Sequence, residues 1–296
     1  PYRITGELTV TSDASLTILP GTTIFFDLDA KMNINGRLIA EGKEHELIRF
    51  TRTPGIAGTW GGIQFANTMN DNRISYAVIE YGQTDDGMVG LENSNLLLDH
   101  VTLDNTTLFR IISKNSSLIV RNSTFTDTCA EGQTPTDNRT EHIWGSVIPA
   151  GGQFIIENNV FGTTIGHNDA IDFDGKSRPD PIPQILNNIF MGGGDDALDL
   201  ECDAHIEGNL FMNYIKDQLN RASGESNVIS AGAAKHYVMV RNFFYNIDHI
   251  AQVKNDAFLT FVNNTVCNTS GAGIYFELGL PGRRPGQGAY LDGNIF

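Results

Sequence analysis

The stretch "NNVF" (158–161) returns as "NNIF" (187–190), "GNLF" (208–211) and "RNFF" (241–244), then as "NNTV" (263–266) and "GNIF" (293–296). Each is a polar turn followed by a short apolar run. "DHVTL" (99–103) and "RNSTF" (121–125) carry the same pattern upstream. From His100 through Asn122, Asn159, Asn188, Asn209, Asn242 and Asn264 to Asn294, the steps are 22, 37, 29, 21, 33, 22 and 30 residues. The shortest steps cluster at 21–22, and the longer ones are that length plus a loop. A repeat near 22 residues made of short strands and Asn-rich turns indicates a solenoid.

The rest of the chain agrees. Runs such as "SLTIL" (15–19), "TIFF" (23–26) and "YAVIEY" (76–81) alternate like strands and are broken by Gly, Asn, Asp and Ser. Helical spacing of apolar residues is almost absent. A leucine-rich repeat has a similar period but needs a fixed leucine lattice and a helical back, and the sequence has neither. The pattern predicts an all-β parallel β-helix. Each coil supplies two or three strands, and each strand pairs with its equivalent one coil along, about 4.8 Å away. Asn at the repeated turns tolerates left-handed backbone and can bond along its own column. No shift in composition marks a boundary, so residues 1–296 read as one domain. Both ends, "PYRITGELTV" and "LDGNIF", are already in strand pattern. This predicts a segment of a longer chain, with coils able to associate end to end.

The formal charge is −15, from 35 acidic against 20 basic residues. That balance argues against nucleic acid or an anionic membrane as the main partner. No run of 18 apolar residues spans a bilayer. Cys129, Cys202 and Cys267 lack metal-finger spacing, and an odd number closes no disulfide framework. They read as three buried or half-buried thiols.

Two phrases stand out chemically: "HNDAIDFDG" (167–175) and "GGDDALDLE" (193–201). If Ile171, Phe173, Leu198 and Leu200 point inward, then Asp172, Asp174, Asp199 and Glu201 point outward. Stacking would set Asp172 beside Asp199 and Asp174 beside Glu201. Asp169, Asp195 and Asp196 lie just before these strands, and Asp217 continues their row. A second column reads Glu92, Lys114, Asp174, Glu201, Glu225, Lys254 and Glu277. Like charges facing each other across paired strands destabilise. Ca²⁺ bridging Asp172, Asp174, Asp199 and Glu201 relieves this; so do carboxyls that keep their protons and thereby become acid–base pairs. Lys254 and Arg221, close to the acids, suit a sugar carboxylate or the base of a lyase, and equally suit plain neutralisation. Trp60 and Trp144 suit sugar stacking, although "GTWGGI" (58–63) also fits a turn-packing Trp.

"LTVTSDASLTILPGTTIFF" (8–26), "INGRLIAEG" (34–42), "IRFTRT" (48–53) and "GTWGGIQF" (58–65) resemble the opening coils of secreted bacterial right-handed parallel β-helix proteins. The later coils resemble the pectate-lyase and polygalacturonase-like superfamily. The resemblance covers essentially the whole chain and implies secretion or surface display, with polysaccharide as substrate or ligand. "HND" with Asp169 and "GDD" with Asp195 and Asp196 are similar to two phrases of the polygalacturonase-like hydrolases. Carried over, Asp196 is the acid and Asp169 or Asp195 the base. The Gly-His-Gly phrase of those enzymes is missing here. The Ca²⁺-dependent lyases imply the other assignment, with Asp172, Asp174, Asp199 and Glu201 as the cage and Arg221 or Lys254 as the base. The expectation is an extracellular carbohydrate-active protein, a lyase or glycoside hydrolase if catalytic. The alternative is a non-catalytic adhesive or structural module.

Overall fold

Strand stacks on strand in parallel, one coil at a time. A computed structural model describes residues 1–128, 140–164, 166–216, 226–277, 282 and 284–296. An 11-stranded sheet, from Glu7–Val10 to Ile274–Phe276, forms the first face. A second face includes Ser117–Arg121, Phe154–Glu157, Gln184–Leu186 and Ala204–Glu207. A third includes Thr124–Phe125, Val160–Phe161, Ile189–Phe190 and Leu210–Met212. The long strands Arg73–Glu80 and Asn95–Asp104 bend through the corner and belong to both the second and third faces. The chain is a parallel β-helix, and no helix among the described residues is long and apolar enough to cross a membrane.

Alternation drives this arrangement. In Ile171–Asp174 the two apolar side chains are buried, and register places Ile171 on Leu198 and Phe173 on Leu200. The interior is continuous apolar ladder. Phe125, Phe161, Phe190 and Phe211 stack with ring centroids 4.5, 4.7 and 4.7 Å apart. That matches the spacing of paired strands, so each coil adds one ring to the pile.

The corner between second and third faces explains the Asn repeat. Asn159, Asn188, Asn209, Asn242 and Asn264 are buried. Each accepts, through Oδ1, the backbone N–H of its equivalent one coil earlier: Asn159 N to Asn188 Oδ1 is 2.9 Å and Asn188 N to Asn209 Oδ1 is 2.9 Å. Each Nδ2 also donates to a buried carbonyl, as from Asn188 to Ile156 at 2.8 Å. Asn294 completes the series at 2.8 Å from Asn264 N. The residue before each rung takes the left-handed conformation, with φ of 56° at Asn158 and 54° at Asn187. His100 and Asn122 differ from the expectation. They occupy the left-handed position itself, at φ 55° and 52°. The bonding rung upstream is Ser123, whose Oγ accepts Val101 N at 3.0 Å. A short hydroxyl replaces the amide there, so the sequence marker slips by one residue.

Of the cysteines, Cys202 is buried, Cys267 is exposed rather than buried, and Cys129 lies outside the described residues. Cys267 pairs with Tyr245 on the outward side of the third face, which accounts for its exposure.

Candidate functional site

The loops that return from the third face to the first end in an acidic edge. Register aligns Ile143, Ile171, Leu198 and Ile229 on the first face. Two residues before each lie Glu141, Asp169, Asp196 and Asn227, which therefore form one column. This edge is bonded coil to coil like the Asn corner. Asp196 N donates to Asp169 Oδ1 at 3.0 Å, while Asn227 N and Nδ2 both donate to Asp196 Oδ1 at 3.0 and 2.8 Å. Thr140 N donates to Asn168 Oδ1 at 3.0 Å in the neighbouring column.

The outward side of the first face carries the next column. It reads Ile112, Trp144, Asp172, Asp199, Ser230, Gln252 and Tyr275. Asp172 does lie beside Asp199, and Asp174 beside Glu201. The second column reads Glu92, Lys114, Ser146, Asp174 and Glu201. Ser146 therefore separates Lys114 from Asp174. After Glu201 the register passes Ala231 and Val253, which brings Gly232 and Lys254 into this column. Glu225, Asp217 and Arg221 lie outside the described residues. Lys254 is half-buried, with its aliphatic stem over Gly232 at 3.4 Å from where a Cβ would stand.

Carboxylate oxygens converge in two overlapping groups. Glu141, Asp169 and Asp172 each offer an oxygen within 4.8 Å of the others, and so do Asp169, Asp195 and Asp196. Asp174 and Glu201 stand exposed, outside both groups among the described residues. The oxygen cluster is thus centred at the edge of the face, nearer the loops than the outward strand positions alone suggest. Glu141 is the member that the sequence reading passed over. Aligning "EHI" (141–143) on "DAI" (169–171) would have exposed it, since Ile143 pairs with Ile171.

The electrostatics follow from burial. Glu141 is 4% exposed and its carboxyl is pushed up to about 9, first by burial and then by the charges of Asp172, Asp199 and Asp195. Asp172 rises to about 7 through burial and then Asp199, against a hydrogen bond from Trp144. Asp195 rises to about 6 through burial, opposed by His167 and by Lys216 and Lys254. Asp169 and Asp196 are held above the usual carboxylate range by burial and by neighbouring acids. None of Glu141, Asp169, Asp172, Asp195 and Asp196 forms a salt bridge among the described residues. Glu141 Oε2 is buried without a hydrogen-bond partner. Trp60, by contrast, is interior. It stacks on Phe26 at 4.0 Å and donates to Glu80 O at 2.8 Å, so of the two tryptophans only Trp144 is placed to meet a ligand.

Comparison with protein families finds no match, and neither does comparison with curated protein sequences. Among solved structures, the chain is similar to an alginate lyase from Paenibacillus sp. str. FPU-7. Identity is 14% and the TM-score 0.47, over 100% of this chain and 99% of that one. It is also similar to PfbA, a surface adhesin of Streptococcus pneumoniae. Identity there is 12% and the TM-score 0.40, over 93% of this chain and 85% of that one. Likeness at this distance assigns no activity, which has to be argued from the site.

Proposed function

We propose that the protein works outside the cell on an acidic polysaccharide, as a cation-assisted lyase whose centre is the edge formed by Glu141, Asp169 and Asp172. One observation carries this reading: the carboxylates of Glu141, Asp169 and Asp172, buried or half-buried, converge within 4.8 Å, and none of the three forms a salt bridge among the described residues. The donor set fits Ca²⁺. Two oxygens each 2.3–2.6 Å from one ion stand at most about 5 Å apart. All donors are hard carboxylate oxygens, and Glu141 Oε2 is buried with its bonding capacity unused. When bound, the ion supplies a positive charge that holds a sugar carboxylate and acidifies the neighbouring C–H. The chain's own residues do the rest. Asp199 stands one coil from Asp172 and completes the negative wall. Trp144 and Tyr275 stand at the two ends of the column of Asp172, Asp199, Ser230 and Gln252, five strand spacings or about 24 Å apart, so each offers an aromatic face to a different ring of a bound chain. Lys254, on the same face, is the basic side chain assigned to the proton. Asp174 and Glu201, exposed one outward position further along their strands, have outer roles.

The hydrolase reading is less well supported. An inverting pair needs carboxyls about 6.5–9.5 Å apart to admit water. Asp169, Asp195 and Asp196 present oxygens within 4.8 Å, and Asp196 Oδ1 already accepts two bonds from Asn227. Asp196 is therefore a structural rung before it is an acid.

The test has two parts. Calcium titration of the metal-free protein, with Glu141→Gln and Asp172→Asn as controls, reads the centre. Ultraviolet absorbance of unsaturated ends on a polyuronate panel reads the chemistry. Calcium binding lost in both variants, with product formed, is the expected result. Calcium binding without product makes the chain an adhesive or structural module, and no calcium binding removes the centre itself.

A further inference from the structure

A second concavity lies upstream of the acidic edge, on the same series of loops between the third and first faces. It encloses about 540 Å³. Arg52 ends the third-face strand of its coil, and Tyr81, Asn105 and Asp127 follow those of the next three. The groove therefore runs along the solenoid axis for roughly 15 Å, three strand spacings.

Its chemistry differs from that of the acidic edge. Asp104 is engaged through both oxygens: Asn105 N and Nδ2 donate to it at 2.8 Å each, and Thr126 Oγ1 at 2.6 Å. Asp127 Oδ1 accepts Thr163 N at 2.7 Å. Arg52 is also engaged, with Nη1 on Gly58 O at 3.1 Å and its guanidinium 3.9 Å over the Tyr81 ring. The one cation of the lining is thus stacked and bonded, and two carboxylates accompany it. This wall suits neither an anion nor an apolar ligand. What remains open is a mixed set. Gln83 holds Thr107 through Oε1 and keeps both Nε2 hydrogens. Tyr81 keeps its hydroxyl, Asn105 its Oδ1, and Asp127 its second oxygen. Interleaved donors and acceptors, held rigidly by bonds to neighbouring coils, match a ligand that offers both in every ring.

We infer that the groove of Tyr81, Gln83, Asn105 and Asp127 binds a neutral oligosaccharide laid along the solenoid axis. The inference does not rest on the acidic centre, and its test keeps the two apart. Calorimetry and saturation-transfer NMR are run with cellohexaose, xylohexaose, mannohexaose and the anionic hexagalacturonate. Tyr81→Phe/Gln83→Glu keeps the ring beneath Arg52 and the acceptor for Thr107 while removing two donors. At least one neutral hexasaccharide binds, this variant weakens it by about tenfold or more, and Asp172→Asn/Asp199→Asn leaves it unchanged. Four results overturn the inference: no neutral hexasaccharide binding at millimolar concentration; tighter binding of hexagalacturonate at this groove; an unchanged Kd in the groove variant; or loss of binding in the acid variant. If the groove variant melts early, Tyr81→Phe alone is read by the same criteria.

Discussion

Stability of the calcium-free protein falls as pH rises from 4.5 to 7, and Asp172 carries a measurable share of the fall. Burial and Asp199 raise its carboxyl from the ordinary 3.8 to about 7. Three pH units correspond to about 4 kcal/mol favouring the protonated form in the folded state. Below pH 4 both states hold the proton and that stability is intact. Between 4 and 7 the unfolded chain releases the proton while the folded chain keeps it, so stability drains away. Above 7 both are ionised and the loss is complete. Asp195 acts in the same direction up to about 6, and Glu141 up to about 9. Acids held low elsewhere, such as Asp27 on Arg3 and Asp71 on Arg73, change stability with the opposite sign but below their ordinary 3.8. Within the window above 4.5 the buried His142 opposes the cluster: held well below its ordinary 6.5 by burial and then Arg110, it makes stability rise with pH until the unfolded imidazole is neutral. The difference between wild type and Asp172→Asn, in which His142 cancels, is therefore what isolates Asp172. The assay is urea unfolding in chelator at half-unit steps, comparing wild type with Asp172→Asn. One proton contributes a slope of about 1.4 kcal/mol per pH unit, and the variant should lose about that much slope between 4.5 and 7. Saturating calcium should flatten the wild-type curve, because the ion replaces the protons. A wild-type curve that is level or rising across this window, or an Asn variant of equal slope, refutes the reasoning.

Calcium at a hundred times its Kd should stabilise the wild type by about 2.7 kcal/mol, and thermal melts should show no such gain in Glu141→Gln. Asn209→Ala removes the acceptor for Asn188 N and Nδ2 and the donor to Ile185 O; it should cost about 3 kcal/mol by urea unfolding, because a buried N–H is left orphaned. Phe190→Ala opens the aromatic pile between Phe161 and Phe211 and should cost about 3–5 kcal/mol on the same measurement. Trp144→Ala removes a hydrogen bond to Asp172 and should weaken calcium by about tenfold or more, while lowering polyuronate turnover even at saturating calcium; turnover restored in full by saturating calcium would make Trp144 a support for Asp172 only.

The fold was legible because its signals are local and repeated. "NNIF" (187–190) contains a left-handed residue, a buried bonding rung and an inward ring, and each of these recurs in sequence with the coil. Where the rung is Ser123 instead of Asn, the backbone path survives but the letter changes, so a letter-matched marker falls on Asn122. The outward acids were legible for the same reason. Alternation alone gives the pairs Asp172–Asp199 and Asp174–Glu201, and register places them there. Alternation cannot say which outward acids are covered. That depends on what packs over each strand end: Glu141 is buried and Asp172 half-buried, while Asp174 and Glu201 open to solvent.

The acidic edge also shows why stability and function need not point to the same residues. Asp169 and Asp196 sit in one column with Asn227, where their oxygens receive backbone N–H groups of the next coil. An asparagine oxygen accepts a backbone N–H at no electrostatic cost, as the corner ladder demonstrates. A carboxylate there adds repulsion from Asp195 and Asp199 without gaining a bond that the amide lacks. If bonding were all these positions required, Asn would serve at both. Protons held by the raised carboxyls relieve that repulsion in the calcium-free protein, and under the proposal above a hard cation replaces those protons, matching both the charge and the oxygen spacing. Asp169→Asn/Asp196→Asn separates the two demands: it should stabilise the calcium-free protein while abolishing calcium binding, whereas a purely structural role would leave the first unchanged and the second without meaning.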